Sequence, residues 1–421
     1  MPSERILICG AGIAGSILAF WLAKHDFQVV VVERSKTEQR LGQGLEIEEP
    51  ALAVVKAMGI IEELNEKRTG ELGFTIVDAL GRSWGTLEAG GLSPTGALEI
   101  MRGDLTETLY RAADKSANVS YRFETTIQSL RQTDDKVIVD LENKNDKTIS
   151  TEEFHLVVGA DGVNSRTRQL VMGAPEQLKP FEPIGVSVAY FSIPKEDHDW
   201  PYSRLWNFPG RRILWKRPIG KDSDMTSVYL IYAQDDDSDL RAANASGDRT
   251  KQKAAFAKLY SGLGGETARV IEKMMRAENF YSDGLAQVKL EKWSQDRVVL
   301  LGDAAWAPTP LTGQGNQLAI IGAWVLAQEL SRNRNQIAFE AYEKRLRSYV
   351  QECQNIPLGG YAPYLFNPQS AWAIRLLQTL FWSVSGVVRF VKWTNVSRLI
   401  PEGKPAEPDF DLQMQEDRKT A

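Results

Sequence analysis

Cysteine is scarce in this chain of 421 residues, with Cys9 and Cys353 the only two. That excludes a disulfide scaffold and fits a reducing compartment, so a cytoplasmic location is expected. Histidine is also sparse: His25, His155 and His198 stand far apart, and neither HExxH nor CxxC occurs. Zinc hydrolysis and histidine-based triads are therefore poorly supplied, and no metal is expected. Basic charge is not in excess, with 50 Lys plus Arg against 55 Asp plus Glu and a net charge of −5. No basic block offsets the balance, so nucleic acid is not an expected partner. Met1 to Arg5 lead straight into a strand pattern, without the charged and apolar regions of a signal peptide. What the chain does have is ordinary globular content, 43% hydrophobic and 25% charged, which excludes disordered and collagen-like classes. Its 11 tryptophans are many for this length.

The length allows two or three domains of ~150 residues, or one large α/β body. Ile6-Leu7-Ile8-Cys9 reads as a buried strand, followed by Gly10-Ala11-Gly12-Ile13-Ala14-Gly15, a helical stretch from Ser16 to His25 and a second apolar run, Val29 to Val32. Residues 51–64 carry a helical stripe, 72–84 alternate like a hairpin, and Asp104 is placed to cap a helix that runs to Lys115. Between 184 and 234, β-branched and aromatic runs follow one another without intervening helices, which predicts an antiparallel sheet. A helix-rich piece covers 251–276, a buried strand Val298–Leu301 follows, and a long helix starts near Gln314. The expected organisation is α/β: a Rossmann-like nucleotide-binding domain from 1–70, 98–175 and 285–350. An antiparallel-sheet substrate domain from 71–97 and 176–284 is inserted into it, then come C-terminal helices over 351–400 and a polar tail over 401–421. The acidic run Asp235-Asp236-Asp237 reads as a solvated loop.

In the first turn, Gly10 permits the tight bend, Gly12 lets a pyrophosphate approach the backbone, and Gly15 lets helix and strand pack closely. The helix N-terminus offers unpaired N–H groups and a positive dipole to phosphates. Glu33, at the end of the second strand and beside Arg34, lies at the spacing of a ribose-binding acid. An acid there repels a 2′-phosphate, so the expected dinucleotide is FAD or NAD rather than NADP. Cys9 precedes the turn and reads as a small core side chain.

Two further motifs follow, Gly159-Ala160-Asp161-Gly162 with Ser165 and Arg168, and Gly302-Asp303-Ala304-Ala305 with Pro308, Pro310 and Gly313-Gln314-Gly315. In order and spacing the three motifs resemble the fingerprints of the single-component FAD-dependent aromatic hydroxylases, or group A flavoprotein monooxygenases. That family includes para-hydroxybenzoate hydroxylase and the tetracycline-inactivating monooxygenases, and the likeness covers roughly residues 4–350. The resemblance assigns the one Rossmann turn, with Gly10, Gly12, Ala14 and Gly15, to FAD. It puts Glu33 at the adenosine ribose, Arg102 near the pyrophosphate and ribityl portion, Asp161 in FAD and nicotinamide-cofactor binding, and Asp303 on the ribityl chain. It places Gly42-Gln43-Gly44 beside the isoalloxazine. Gly313-Gln314-Gly315 opens a helix whose free N–H groups and dipole suit the negative charge of reduced flavin, and Pro310 stiffens that loop. The chain departs from the family pattern at three positions, Trp306 for a histidine, Gln317 for an asparagine and Gly322 for an acid.

The resemblance implies a monooxygenase: NADH or NADPH as a transient co-substrate, O2 addition at flavin C4a, and oxygen transfer from the hydroperoxide to an aromatic or polycyclic small molecule. Hydroxylation is the leading expectation. The flavin carries that chemistry, so no acid–base pair is singled out, and the protein supplies orientation and a dry cavity. Val188, Tyr190, Trp206, Trp215, Tyr229 and Trp306 are the candidate wall of that cavity. Alternatives are a reductase or halogenase on the same fold, although the halogenase tryptophan–isoleucine–proline signature is missing, or a non-catalytic flavin-binding protein. Residues 371–393 form an apolar helix with a polar stripe of Arg375, Gln378, Ser385, Arg389 and Lys392. Packing against its own protein is preferred there to lying on a membrane surface. The oligomeric state stays open.

Overall fold

The computed structural model describes residues 4–37, 42–89, 98–173, 180–234, 236–356 and 358–393. The expected tail over 401–421 and Asp235 lie outside the described residues. The strands Arg5–Cys9, Gln28–Val32, Val119–Arg122, Leu156–Gly159 and Val298–Leu300 form a parallel sheet, with Ser294–Gln295 antiparallel at its edge. These strands are apolar on both faces because both faces are covered. Ile6, Ile8, Val29, Val31, Leu156 and Val158 pack with the helices Ile13–Lys24 and Gly315–Arg332. Leu7, Cys9, Val30, Val32 and Val157 alternate to the other side. There they meet Ile127, Val137, Val139, Leu141 and Phe154 of a three-stranded sheet, Thr125–Gln132, Val137–Asn143 and Ile149–Phe154. Burial pushes the Cys9 thiol far up, as suits a core side chain.

A seven-stranded sheet forms the second layer, in the order Tyr281–Val288, Phe181–Pro194, Met225–Tyr232, Arg212–Pro218, Tyr202–Phe208, Gly73–Val77 and Ser83–Glu88. One face carries Ala189, Phe191, Trp206, Phe208, Leu214 and Leu230 against the helical layer of Ser238–Ser246, Arg249–Leu259 and Gly265–Arg276. The other face looks toward the glycine-rich motifs.

The structure differs from the sequence expectation in four places. Gly73–Val77 pairs in parallel with Tyr202–Trp206, because the chain leaves this sheet and traverses the nucleotide-binding sheet before it returns. The strand Tyr281–Val288 carries this sheet past residue 284. The stripe over 51–64 is two helices, Ala51–Ala57 and Ile61–Glu66, parted at Gly59 with φ +74°. The next helix begins at Arg102, so Asp104 sits inside its first turn and does not cap it.

Candidate active site

The three motifs meet at the carboxyl ends of three neighbouring strands. Gly10 bends at φ +110°, and a Cβ there would lie 2.4 Å from the Ala160 carbonyl oxygen. A Cβ on Gly15 would lie 2.0 Å from the Gly10 oxygen, so both glycines are required by packing within the turn. Gly12 is different: its backbone is extended, at φ −78°, and a Cβ would meet nothing within 4 Å. That open space above a helix N-terminus is the cradle a pyrophosphate needs. Ala160 N–H donates to the Cys9 carbonyl and Leu301 N–H to the Gly159 carbonyl, which locks the strand ends side by side. Ala14 closes the group, with its Cβ 3.1 Å from the Cβ position of Gly302.

Glu33 stands at the end of its strand, half-buried, where its carboxylate accepts from Ala11 N–H at 3.1 Å and Ser35 N–H at 2.9 Å. Each oxygen retains a second lone pair for a ribose hydroxyl. Arg34 beside it is exposed. Asp161 is used internally. It accepts from the Ser165 hydroxyl, from Thr167 N–H at 2.9 Å and from the Thr167 hydroxyl at 3.0 Å, while Ser165 caps the helix Arg166–Met172. Arg168 is fully buried and donates to Ala304 O at 2.8 Å and Val163 O at 2.7 Å, tying the second motif to the third.

Asp303 does not cap its short helix, Asp303–Trp306; Gly302 holds the cap position, and among the described residues no group donates to the Asp303 carboxylate. The residue is exposed. Surrounding protein pushes its carboxyl above the ordinary value, and Arg102 opposes that shift. Arg102 lies against Gly42, whose Cβ position is 2.8 Å from its Cδ, and its Nε is buried without a partner. An unused carboxylate, an unpaired guanidinium nitrogen and the open space at Gly12 are together the donor and acceptor set that FAD requires. Gly313, at φ +68°, ends the 3₁₀ turn Pro310–Thr312, and Gln314 caps the helix that starts at Gly315. The Cβ position of Gly315 is 4.0 Å from an Asp303 carboxylate oxygen. Asn316 and Gln317 donate to the Glu46 carbonyl, Gln317 at 3.2 Å, and so fasten this helix start to the strand Gly44–Glu46.

Four strands place one aromatic row on the site-facing side of the sheet. Trp215, Tyr229, Tyr190 and Tyr281 are direct cross-strand partners. Ring centroids are 5.4 Å apart for Trp215–Tyr229 and 5.0 Å for Tyr190–Tyr229. Phe74 continues the row from Trp215 at 6.2 Å, and Phe381 of the C-terminal helix closes it at 5.4 Å from Phe74. Val188 shares the Tyr190 face. Gly44 N–H donates to the Tyr229 hydroxyl at 3.1 Å, which joins the strand Gly44–Glu46 to the aromatic row. Burial raises the Tyr190 and Tyr229 phenols, so both stay protonated.

Two expected wall residues lie elsewhere. Trp206 pairs with Leu214 and packs into the opposite, helix-covered face, since it stands one step from Leu205, the residue opposite Trp215. Trp306 is 1% exposed and faces the nucleotide-domain core, 4.5 Å from the Trp293 ring and 5.7 Å from Tyr342. A Cβ on Gly322 would lie 2.9 Å from its ring. The indole therefore fills space that glycine leaves free, and two of the three departures from the family pattern are one packing unit. A cavity of about 1150 Å³ opens elsewhere, between Glu182, Lys289, Arg347, Tyr361 and Tyr364; of the motif segments only Trp306 reaches it.

A buried charge cluster beside the row was not foreseen from the sequence. Arg217 donates to Glu71 at 3.0 and 3.2 Å and pairs with Glu99, while its guanidinium lies 4.5 Å over the Trp215 ring. Glu99 abuts Gly44, whose Cβ position is 3.0 Å from its carboxylate. Burial, with Glu71 and Glu46 adding repulsion, pushes Glu99 up to about 7 despite Arg217. Burial also opposes the Arg217 charge, but Glu99 and Glu71 outweigh it and hold its pKa above the ordinary range. Burial dominates at Glu99, and its one cation, Arg217, is shared with Glu71. These residues lie far apart in sequence and belong to no motif; only the odd-position alternation of Arg212–Pro218 hinted that Arg217 shares the Trp215 face.

A raised carboxyl binds its proton more tightly in the folded chain. Stability therefore falls as pH rises from the ordinary value of 4.5 to about 7, and the penalty is complete above that. Thermal melts of the wild type and Glu99→Gln should diverge across this window, the variant gaining relative stability toward high pH. At ~1.4 kcal/mol per pH unit the gap should reach roughly 3 kcal/mol. Parallel melting curves from pH 4 to 8 would count against the assignment.

Comparison with known proteins places this geometry. A family model described as an FAD binding domain matches residues 4–358. Monooxygenase CTB7 of Cercospora beticola is 36% identical, over 97% of this chain and 98% of that protein. FAD-dependent monooxygenase asL6 of Sarocladium schorii is 31% identical, over 90% of this chain and 92% of its own. Among solved structures, tetracycline destructase Tet(55) superposes with a TM-score of 0.75 at 29% identity, covering 91% of this chain and 97% of that one.

Proposed function

The chain belongs to the FAD-binding-domain family of flavin-dependent monooxygenases, and from that premise we propose that it oxygenates an aromatic or polycyclic small molecule, using O2 and electrons from NADH or NADPH. Hydroxylation is the reading preferred. The observation that carries it is the Gly44–Tyr229 hydrogen bond, which sets a continuous aromatic floor directly against the loop of the cofactor domain. FAD, when bound, supplies the activation of O2 and the redox step.

Every other part of the work falls to the chain. Gly12 and the N-terminus of Ile13–Lys24 would hold the pyrophosphate, Glu33 the ribose, and Asp303 with Arg102 the ribityl portion. Gly313, Gln314 and Gly315 would present backbone N–H groups where negative charge collects on the flavin. Trp215, Tyr229, Tyr190 and Val188 orient a flat substrate by stacking, and their apolar bodies exclude water. The protonated Tyr229 hydroxyl accepts from Gly44 and sets one polar group in the apolar row for a substrate oxygen.

The test is NAD(P)H oxidation by the FAD-loaded enzyme with polycyclic phenols. Substrate-stimulated O2 consumption and a product heavier by one oxygen atom are expected. Flavin reduction without O2 uptake would favour a reductase, and flavin that NAD(P)H cannot bleach would favour a carrier. Within this assay Trp215→Ala should raise KM about tenfold and increase uncoupled O2 use, a loss of ~1.4 kcal/mol of contact. Trp206→Ala should lower the melting temperature and leave KM within about twofold. Equal KM effects from both variants would contradict the assignment of faces.

A further inference from the structure

The C-terminal helix Ala371–Trp393 is turned the opposite way to a surface helix. Its protein-facing positions are Ile374, Gln378, Phe381 and Ser385, two of them polar. They sit close on the sheet edge: a Cβ on Gly85 would lie 2.5 Å from the Ser385 hydroxyl, and Phe381 meets Phe74. The outward stripe is Trp372, Leu376, Leu380, Val384 and Val387, each between 42% and 73% exposed. Trp382 is exposed as well, and Arg375 and Arg389 flank the stripe.

We propose that this outward stripe seats the enzyme on an anionic lipid bilayer, with the helix lying in the plane of the interface and not crossing it. Charge selects this occupant. From Cys353 to Pro401 the chain has no Asp or Glu but carries Arg375, Arg389, Lys392 and Arg398, although the whole chain is net acidic at −5. Aliphatic side chains with tryptophan, edged by cations, match the boundary between acyl chains and anionic headgroups. A second copy of this chain fits poorly, because a twofold contact would bring arginines together with no acid in the stretch to pair them. A spanning helix also fits poorly. Residues 371–389 reach a mean hydropathy of only 1.2, and crossing would strip Phe381 from Phe74 and leave Gln378 and Arg375 in hydrocarbon. Arg375 already lies 4.6 Å over the Trp84 ring. Phe381 belongs both to this helix and to the end of the aromatic row, so docking places that row beside the lipid surface.

The experiment is co-sedimentation of the full-length, FAD-loaded enzyme with phosphatidylcholine vesicles, with and without phosphatidylserine. The wild type should pellet with phosphatidylserine vesicles and be released by salt. Leu376→Glu with Leu380→Glu should cut pelleting at least tenfold, with flavin content and melting temperature unchanged because both side chains are exposed. Arg389→Gln should reduce the preference for phosphatidylserine and leave the fold intact. Wild-type enzyme that stays in the supernatant with both vesicle types overturns the proposal. So does sedimentation equilibrium showing a dimer that the double variant dissolves, with no vesicle binding.

Discussion

Gly12→Val is expected to weaken FAD binding by about 100-fold or more, a loss of ~3 kcal/mol, while the apo-protein melts like the wild type. The two halves of that result have different causes. Gly12 has an extended backbone that any residue adopts, and no protein atom lies within 4 Å of its Cβ position, so the fold loses nothing. The isopropyl group instead occupies the space assigned to the pyrophosphate. Gly15→Ala is the contrast, since its Cβ would lie 2.0 Å from the Gly10 oxygen and the turn could not close. That variant should lose stability and cofactor together. Flavin fluorescence titration beside calorimetry of the apo-proteins separates the two. A Gly12→Val protein that binds FAD normally would mean that the cofactor lies elsewhere.

Trp306→Ala should cost about 3–5 kcal/mol of stability, the range for a fully buried aromatic. Its ring packs against Trp293, Tyr342 and the surface of Gly322, and closing the gap left would require moving the helix Gly315–Arg332. Substrate KM should change little by comparison, because the ring faces away from the aromatic row. Gly322→Ala tests the same contact from the other side. Alanine gains about 1 kcal/mol in helix propensity, but a methyl 2.9 Å from a rigid indole costs roughly 1–3. The net should be destabilising, and the cost should shrink in a Trp306→Phe background, where the shorter ring gives way. Denaturant melts of the four proteins give the coupling; strictly additive effects would refute the pairing.

What the sequence could disclose divides along a physical line. The three glycine-rich segments were legible because a phosphate turn, a strand-end turn and a helix start each demand particular residues at fixed spacing. The aromatic row was legible in part, since the two-residue period put Val188 with Tyr190 but could not say which side of the sheet faces the cofactor. Trp206 was misplaced for that reason: the alternation put it with Phe208 on one face of the strand, and that face meets the helices. Trp306 was misplaced because nearness to a motif in sequence says nothing about the direction of a side chain on a four-residue helix. The Arg217–Glu71–Glu99 cluster was invisible, because only the sheet order brings residues 71, 99 and 217 together. The C-terminal helix was expected to pack on its own protein in preference to a membrane surface; one narrow face of it meets the sheet edge and a broad apolar stripe stays exposed. Its polar Gln378 and Ser385 make that contact, however, since the narrow sheet edge at Gly85 accepts small and polar groups better than leucines.

The account rests on three strand ends forming one site for one FAD. Titrating FAD into the purified chain and counting flavin against protein tests this directly. One FAD per chain, bound by the wild type and lost in Gly12→Val with the fold retained, is the predicted result. A wild-type protein that is folded by calorimetry yet takes up no flavin at any concentration would contradict it.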